Sequence, residues 1–190
     1  MGYVGTPEIL VLIIIGFIIF IIVKVPKDIP IIFSHWYHLI DNMQASSQQY
    51  YALIERNITD RQLPDTTVSR ANHAEGGMFS ANREYLRVTR KDYTFDICAA
   101  PFARGFFISW WLGEDIGPFL DLVRVIPFIG PRLVRIFRPE TYYRSDTALM
   151  FQESVHASVL EVLDETIKTQ GLRSLSELER KPILKNFFKR

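Results

Sequence analysis

The chain has 190 residues, of which 48% are hydrophobic and 13% aromatic, and its formal net charge is +1. This composition argues against a disordered chain, and the near-neutral charge provides no overall field that would attract nucleic acid or an acidic partner. The single cysteine, Cys98, excludes an intramolecular disulfide and a cysteine-based structural zinc site.

Every residue from 9 to 23 is apolar or glycine, which predicts a transmembrane helix. A cleaved signal peptide fits poorly, because no Lys or Arg precedes the run and Lys24, Pro26 and Lys27 follow it in place of small residues. The positive-inside rule then places the N-terminus outside and the rest of the chain in the cytoplasm. We therefore predict a single-pass protein of the cell inner membrane, with residues 1–27 as its anchor in the lipid bilayer.

Residues 28–62 are predicted to form an interfacial or linker helix, which runs from about residue 31 to residue 56. Asp28 and Pro30 suit its start. Trp36 and Tyr37 are amphipathic aromatic residues of the kind that favours the headgroup level, so both are predicted membrane contacts.

A spanning helix, a proline-containing bend and an interfacial helix resemble the layout of twin-arginine translocase pore subunits. The likeness ends near Arg56, and Ile22 and Val23 stand where those subunits have a Phe-Gly hinge. The resemblance therefore implies no shared function.

Residues 63–190 are predicted to form a cytoplasmic α+β domain, in which C-terminal helices cover a small antiparallel β-meander. Period-two alternation in residues 83–90 and 93–99, followed by the apolar run 106–112, predicts three antiparallel strands, and residues 66–71 form a shorter β-rich run before them. A long helix is predicted from Ser145 or Asp146 to about Gln170. Ser174 and Glu177 form a capping-box pair that predicts a short final helix.

Residues 116–138 are rich in apolar side chains but are interrupted by prolines and glycine. Two short amphipathic helices here would gather the apolar side chains on one surface and let arginines reach lipid phosphates. Arg124, Arg132 and Arg135 are the predicted membrane contacts of this hairpin. A helical hairpin buried inside the domain is the alternative.

Positive charge and aromatic rings occur together on the predicted strands and turns. Arginine neutralises phosphate, and aromatic rings stack on bases, so the combination suits a nucleotide or a single-stranded nucleic acid. The alternative is an ordinary solvated strand face opposite Glu84 and Asp92. The predicted ligand-binding residues are Arg83, Arg87, Arg90, Lys91, Arg104 and Trp110.

No glycine-rich phosphate loop, paired histidine ligands or nucleophile elbow occurs in the sequence. We accordingly predict no catalytic residue, no metal and no cofactor. His73, Glu75, Asp96 and Cys98 are the polar or reactive groups near the predicted sheet, and a His with a Cys would make a nucleophile only if the fold brought the two together.

Residues 83–111, with the segment Phe-Asp-Ile-Cys-Ala-Ala-Pro-Phe at 95–102, resemble an uncharacterised family of bacterial single-anchor membrane proteins. The architecture is also similar to membrane effector subunits of bacterial antiviral defence. That likeness implies a homo-oligomeric ion channel whose cytoplasmic domain binds a nucleotide, nucleic-acid or protein signal that gates it.

One spanning helix cannot enclose a pore, so this hypothesis requires a homo-oligomer. Gly16 is the only small residue in the apolar run, so the cytoplasmic domains would have to supply the association. The alternative hypothesis is a non-conducting membrane-anchored scaffold or lipid-binding module.

Overall fold

A computed structural model of the protein describes residues 16, 31–74, 82–124, 126, 129–139 and 141–184. The chain divides into two compact units, of which one comprises Met1–Ile29 and Ile116–Glu140 and the other Pro30–Asp115 and Thr141–Arg190. The predicted anchor lies outside the described residues, apart from Gly16, which is helical. Among the residues that the structure describes, no helix has both the length and the apolar composition needed to cross a bilayer.

The larger unit contains one antiparallel sheet of six strands. The strands are β1 (Ile31–Asp41), β2 (Thr66–Ala74), β3 (Asn82–Arg90), β4 (Tyr93–Phe102), β5 (Gly105–Glu114) and β6 (Ile183–Leu184). Their order across the sheet is β2-β3-β4-β5-β1-β6, so β3 to β5 form the predicted meander, and β2, which contains the β-rich run at 66–71, adds a fourth strand to it. The α+β class is confirmed, although the sheet is twice as wide as the three strands predicted from residues 83–112.

The predicted helix at residues 31–56 is wrong over its first half, which is strand β1. The helix begins only after the strand, as α1 (Ser47–Asp60). In β1 the buried Ser34, Trp36 and Ile40 alternate with side chains directed to the opposite face, and this period of two is the pattern of a strand. Pairing with β5 along nearly the whole length of β1 supplies its backbone hydrogen bonds.

Two helices cover one face of the sheet, which we call the inner face. They are α1 and the 28-residue α4 (Tyr142–Thr169), whose side chains join those of β1 and β3 to β5 in a single hydrophobic core. The predicted C-terminal helix is thereby confirmed, but it begins three residues earlier, at a Thr141 cap whose hydroxyl accepts a hydrogen bond from the Arg144 backbone N–H. We call the opposite face of the sheet the outer face.

The predicted membrane contact at Trp36 is not supported, because the strand turns this side chain into the core. Its indole N–H donates to the Glu179 carbonyl oxygen at 2.6 Å. Tyr37, the next residue, lies on the outer face and is exposed, which leaves its predicted membrane contact sterically feasible. The alternation of a strand therefore separates two neighbours that the predicted helix had placed together.

The predicted short final helix is also wrong, since residues 177–180 form a turn. The reciprocal capping pair is Ser176 with Glu179, two residues beyond the predicted one. Pro182 has no N–H to continue a helix, and Ile183–Leu184 pair with β1 instead. The turn lies against β1 and α4, so it closes one edge of the core.

His156 links the sheet to this turn from within the core. Its Nδ1 accepts a hydrogen bond from the Trp110 indole N–H at 3.0 Å, and its Nε2 lies 2.7 Å from the Arg180 carbonyl oxygen. An indole N–H can only donate, so Nε2 must carry the proton and the ring is neutral. Burial lowers the pKa of His156 below its ordinary value of 6.5, although the Arg180 carbonyl opposes the shift.

We expect this neutral histidine to make the protein less stable in acid. Below pH 6.5 the unfolded chain takes up a proton at His156 that the folded chain does not bind, so the free energy of unfolding falls as the pH falls. In urea unfolding of the detergent-solubilised protein between pH 7.5 and 5, His156→Gln is expected to have a shallower pH dependence than the parent. Identical slopes would show that His156 does not contribute to the loss of stability in acid.

Candidate functional site

The smaller unit contains a helical hairpin formed by α2 (Gly117–Arg124) and α3 (Gly130–Phe137). The bend requires a glycine, because a Cβ at Gly130 would clash with the carbonyl oxygens of Val123 and Arg124. The Gly130 N–H also donates to the Ile126 carbonyl oxygen at 2.9 Å. The sequence prediction of two short helices folded about the Pro and Gly residues is confirmed.

Helix α3 carries an apolar arc that points to solvent. At 100° per residue, Ile129 at its N-cap and Leu133, Ile136 and Phe137 fall within about 100° of the helix circumference. Ile129 is 57% exposed, Ile136 71% and Phe137 61%. An apolar arc packed within a domain would be buried, so the alternative of a wholly buried hairpin is wrong for α3.

Two arginines lie beside the apolar arc of α3. Arg132 and Arg135 lie outside the apolar arc, and both are exposed, as is Arg124 at the end of α2. The three arginines predicted to contact the membrane are thus exposed, and the contact itself stays a prediction. The sequence analysis did not single out Ile129, Ile136 and Phe137. Their positions i, i+7 and i+8 fall on one face of a helix, and this periodicity would have identified them.

The predicted nucleotide or nucleic-acid site does not form one surface. Trp110 is fully buried on the inner face, where its ring packs 4.5 Å from that of Phe95. Lys91 precedes β4 and lies 3.8 Å from Asp65, whereas Arg104 follows β4 at the other end of this ten-residue strand. Such a strand spans roughly 33 Å, so the two cations cannot contact one nucleotide.

The remaining predicted arginines differ in position and partners. Arg90 donates from Nε to the Pro64 carbonyl oxygen at 3.1 Å. Its cross-strand partner is Tyr93, whose side chain lies on the inner face, so Arg90 lies on that side of β3 as well. Arg83 lies on the outer face and is exposed. Of the six predicted ligand-binding residues, only Arg83 and Arg87 thus share the outer face of β3.

Arg87 forms a bidentate ion pair with Asp96 on the neighbouring strand. Its Nε and Nη2 donate to the two carboxylate oxygens, each at 2.7 Å, and Nη2 also lies 3.0 Å from His73 Nε2. Asp96 is buried, and it compensates the charge of Arg87. Arg87 was predicted from the sequence to bind phosphate, but in the fold its charge is paired with a carboxylate of the protein.

The geometry does not favour a cysteine nucleophile. Burial raises the pKa of the Cys98 thiol above its ordinary value, and this outweighs the opposing effects of Arg83, Ser109 and Tyr85. His73 and Cys98 have different neighbours. His73 contacts Arg87 and Asp96 and pairs with Arg83 of β3, whereas Cys98 pairs with Ser109 of β5. Glu75 lies outside the described residues, and within the described ranges no three His, Cys, Asp or Glu residues are grouped to hold a metal ion.

Comparison of the chain with protein-family models, with curated proteins and with solved structures gives no match.

Proposed function

We propose that this protein is a non-enzymatic, membrane-anchored scaffold whose helical hairpin binds the surface of the membrane that holds the anchor. The observation that carries the proposal is the exposed apolar arc of α3 beside an arginine arc. A helix with this division lies in the interfacial plane, with its apolar side chains in the acyl boundary and its cations at the phosphates. The predicted anchor at residues 9–23 would hold the hairpin at that depth.

The energies are sufficient for a second contact beside an anchor. Full burial of an Ile or Phe side chain contributes about 1.5–3 kcal/mol, and an arginine near an anionic surface about 1 kcal/mol. Ile129, Ile136 and Phe137 together with Arg132 and Arg135 would therefore attach a hairpin that already lies close to the bilayer.

A fluorophore on the apolar arc tests this proposal. NBD attached at Ile136→Cys, in the full chain reconstituted into anionic liposomes, is expected to emit at shorter wavelength and to be quenched by brominated lipid. The native Cys98 is buried, so labelling is directed to the introduced thiol.

Arg135→Cys is the matched control, because Arg135 lies about 150° around the helix from the centre of the apolar arc, and its label is expected to emit as in water. If both labels report water, the hairpin does not bind the membrane. If both report lipid, α3 is immersed and does not lie at the interface.

The ion-channel hypothesis stays a prediction, as does a gating signal of nucleotide, nucleic acid or protein. It requires a ring-sized homo-oligomer, because one spanning helix encloses no pore. The mass of the detergent-solubilised particle tests it, and a monomer would end it.

A further inference from the structure

Large side chains form an exposed aromatic row on the outer face of the sheet. The register pairs His35 of β1 with Trp111 of β5, and their rings stack with centroids 4.8 Å apart and planes 13° apart. Tyr37 continues the row along β1, with its ring nearly parallel to that of His35. Tyr37 is 56% and Trp111 39% exposed, and Leu39 beyond them is exposed too.

This row has the main property of a surface that contacts a partner. Exposed apolar side chains that adjoin one another mark interaction sites, whereas isolated ones do not.

The chemistry of the row favours a membrane interface. Trp and Tyr combine an apolar ring with a polar tip, and they are enriched at the headgroup level of bilayers. Arg83, exposed on the same face, adds a cation of the kind that pairs with lipid phosphate.

The short tether makes the bilayer the nearest candidate partner. Seven residues separate Val23, where the predicted anchor ends, from Ile31, where β1 begins, and they span at most about 25 Å. If β1 stood upright on the membrane, Tyr37 would lie about 20 Å further out. If the strand lay along the surface, the whole aromatic row would come within reach of the headgroups.

We propose that the aromatic row lies among the phospholipid headgroups, so that the sheet lies flat on the membrane with its outer face towards the lipid. The proposal rests on the membrane attachment proposed above and adds an orientation to it. Trp111 and Tyr37 would insert their rings at the ester level, and their N–H and O–H groups would bond to lipid oxygens.

Tryptophan quenching tests the proposal in the unmodified chain. Trp111 is the only exposed tryptophan of the three, since Trp36 and Trp110 are buried. In proteoliposomes that contain brominated phosphatidylcholine, part of the tryptophan emission is expected to be quenched. Acrylamide is expected to quench Trp111 less in these proteoliposomes than in the detergent-solubilised chain.

Trp111→Phe is expected to abolish the bromolipid quenching, with the near-ultraviolet circular dichroism of the buried aromatic residues retained. Trp111→Tyr provides a second variant with a polar tip, for use if the Phe variant fails to fold. Persistent quenching in both folded variants would overturn the proposal, because it would then arise elsewhere.

Two further outcomes would also overturn it. Trp111 accessible to acrylamide but not to bromolipid would show an outer face in water. Trp111 protected from both quenchers, or quenched only after a single-stranded oligonucleotide is added, would show a protein or nucleic-acid occupant. A lipid-inserted label at position 136 with an unquenched Trp111 would reject the flat orientation and leave the hairpin proposal intact.

Discussion

Replacing Trp110 with Ala is expected to lower the free energy of unfolding by about 3–5 kcal/mol, as truncation of a buried aromatic side chain does. The indole is fully buried, packs against Phe95 and donates its N–H to His156. Its removal leaves a cavity and an unpaired imidazole nitrogen at the same place. Because small domains are stable by only about 5–15 kcal/mol, this change removes much of the margin. Urea unfolding of the full chain in detergent measures it.

Trp111→Ala is the matched control, because the same residue type at the next position of β5 points to the outer face. It loses partial burial and the stacking on His35, which together are worth about 1–2 kcal/mol. Equal losses at the two positions would contradict the alternation of β5. Equal losses would also mean that Trp110 is not buried, and it would again be a candidate ligand-binding residue.

The meander was predictable because its pattern is local. Residues 83–90 and 93–99 alternate clearly, and Lys91 and Asp92 between them leave room only for a tight hairpin. The long C-terminal helix was predictable for the same reason, since its apolar stripe repeats over about five turns. Both predictions needed no knowledge of distant residues.

Strand β1 was not predictable in this way. Trp36, Leu39 and Ile40 have the spacing of one helical face, and the same segment also alternates with a period of two. The choice is made by β5, whose register with β1 joins Ile31 to Glu114 more than eighty residues away. A strand depends on such a partner, whereas a helix completes its own hydrogen bonds, so the local pattern favoured the wrong element.

The candidate sites divide in the same manner. The two helices of the hairpin were predictable because Pro127, Gly130 and Pro131 mark the bend within the sequence itself. The predicted phosphate ligands failed because faces and partners were assigned without the register. A one-residue difference separates Trp110 in the core from Trp111 on the outer face, and only strand pairing shows that Asp96 is the neighbour of Arg87.

Replacing Asp96 with Ala is expected to cost about 2–3 kcal/mol of unfolding free energy. The carboxylate accepts two hydrogen bonds from Arg87 at 2.7 Å, and its side chain is mostly buried. Removal of one partner leaves the guanidinium partly buried with its strongest bonds unmade, and this desolvation penalty exceeds the net worth of the pair. Thermal and urea unfolding of the detergent-solubilised chain both measure the loss.

Asp60→Ala is the matched control, since Asp60 pairs with Arg56 at 3.9 Å on the exposed surface of α1 and should change stability by no more than about 0.5 kcal/mol. The double variant Arg87→Met/Asp96→Leu is expected to recover most of the loss, because no partly buried charge is then left alone. Equal and small losses for Asp96→Ala and Asp60→Ala would mean that the Asp96 pair is as solvated as a surface pair. Arg87 would in that case rejoin the residues predicted to bind phosphate, and the outer face would have to be reconsidered as a site for an anionic ligand.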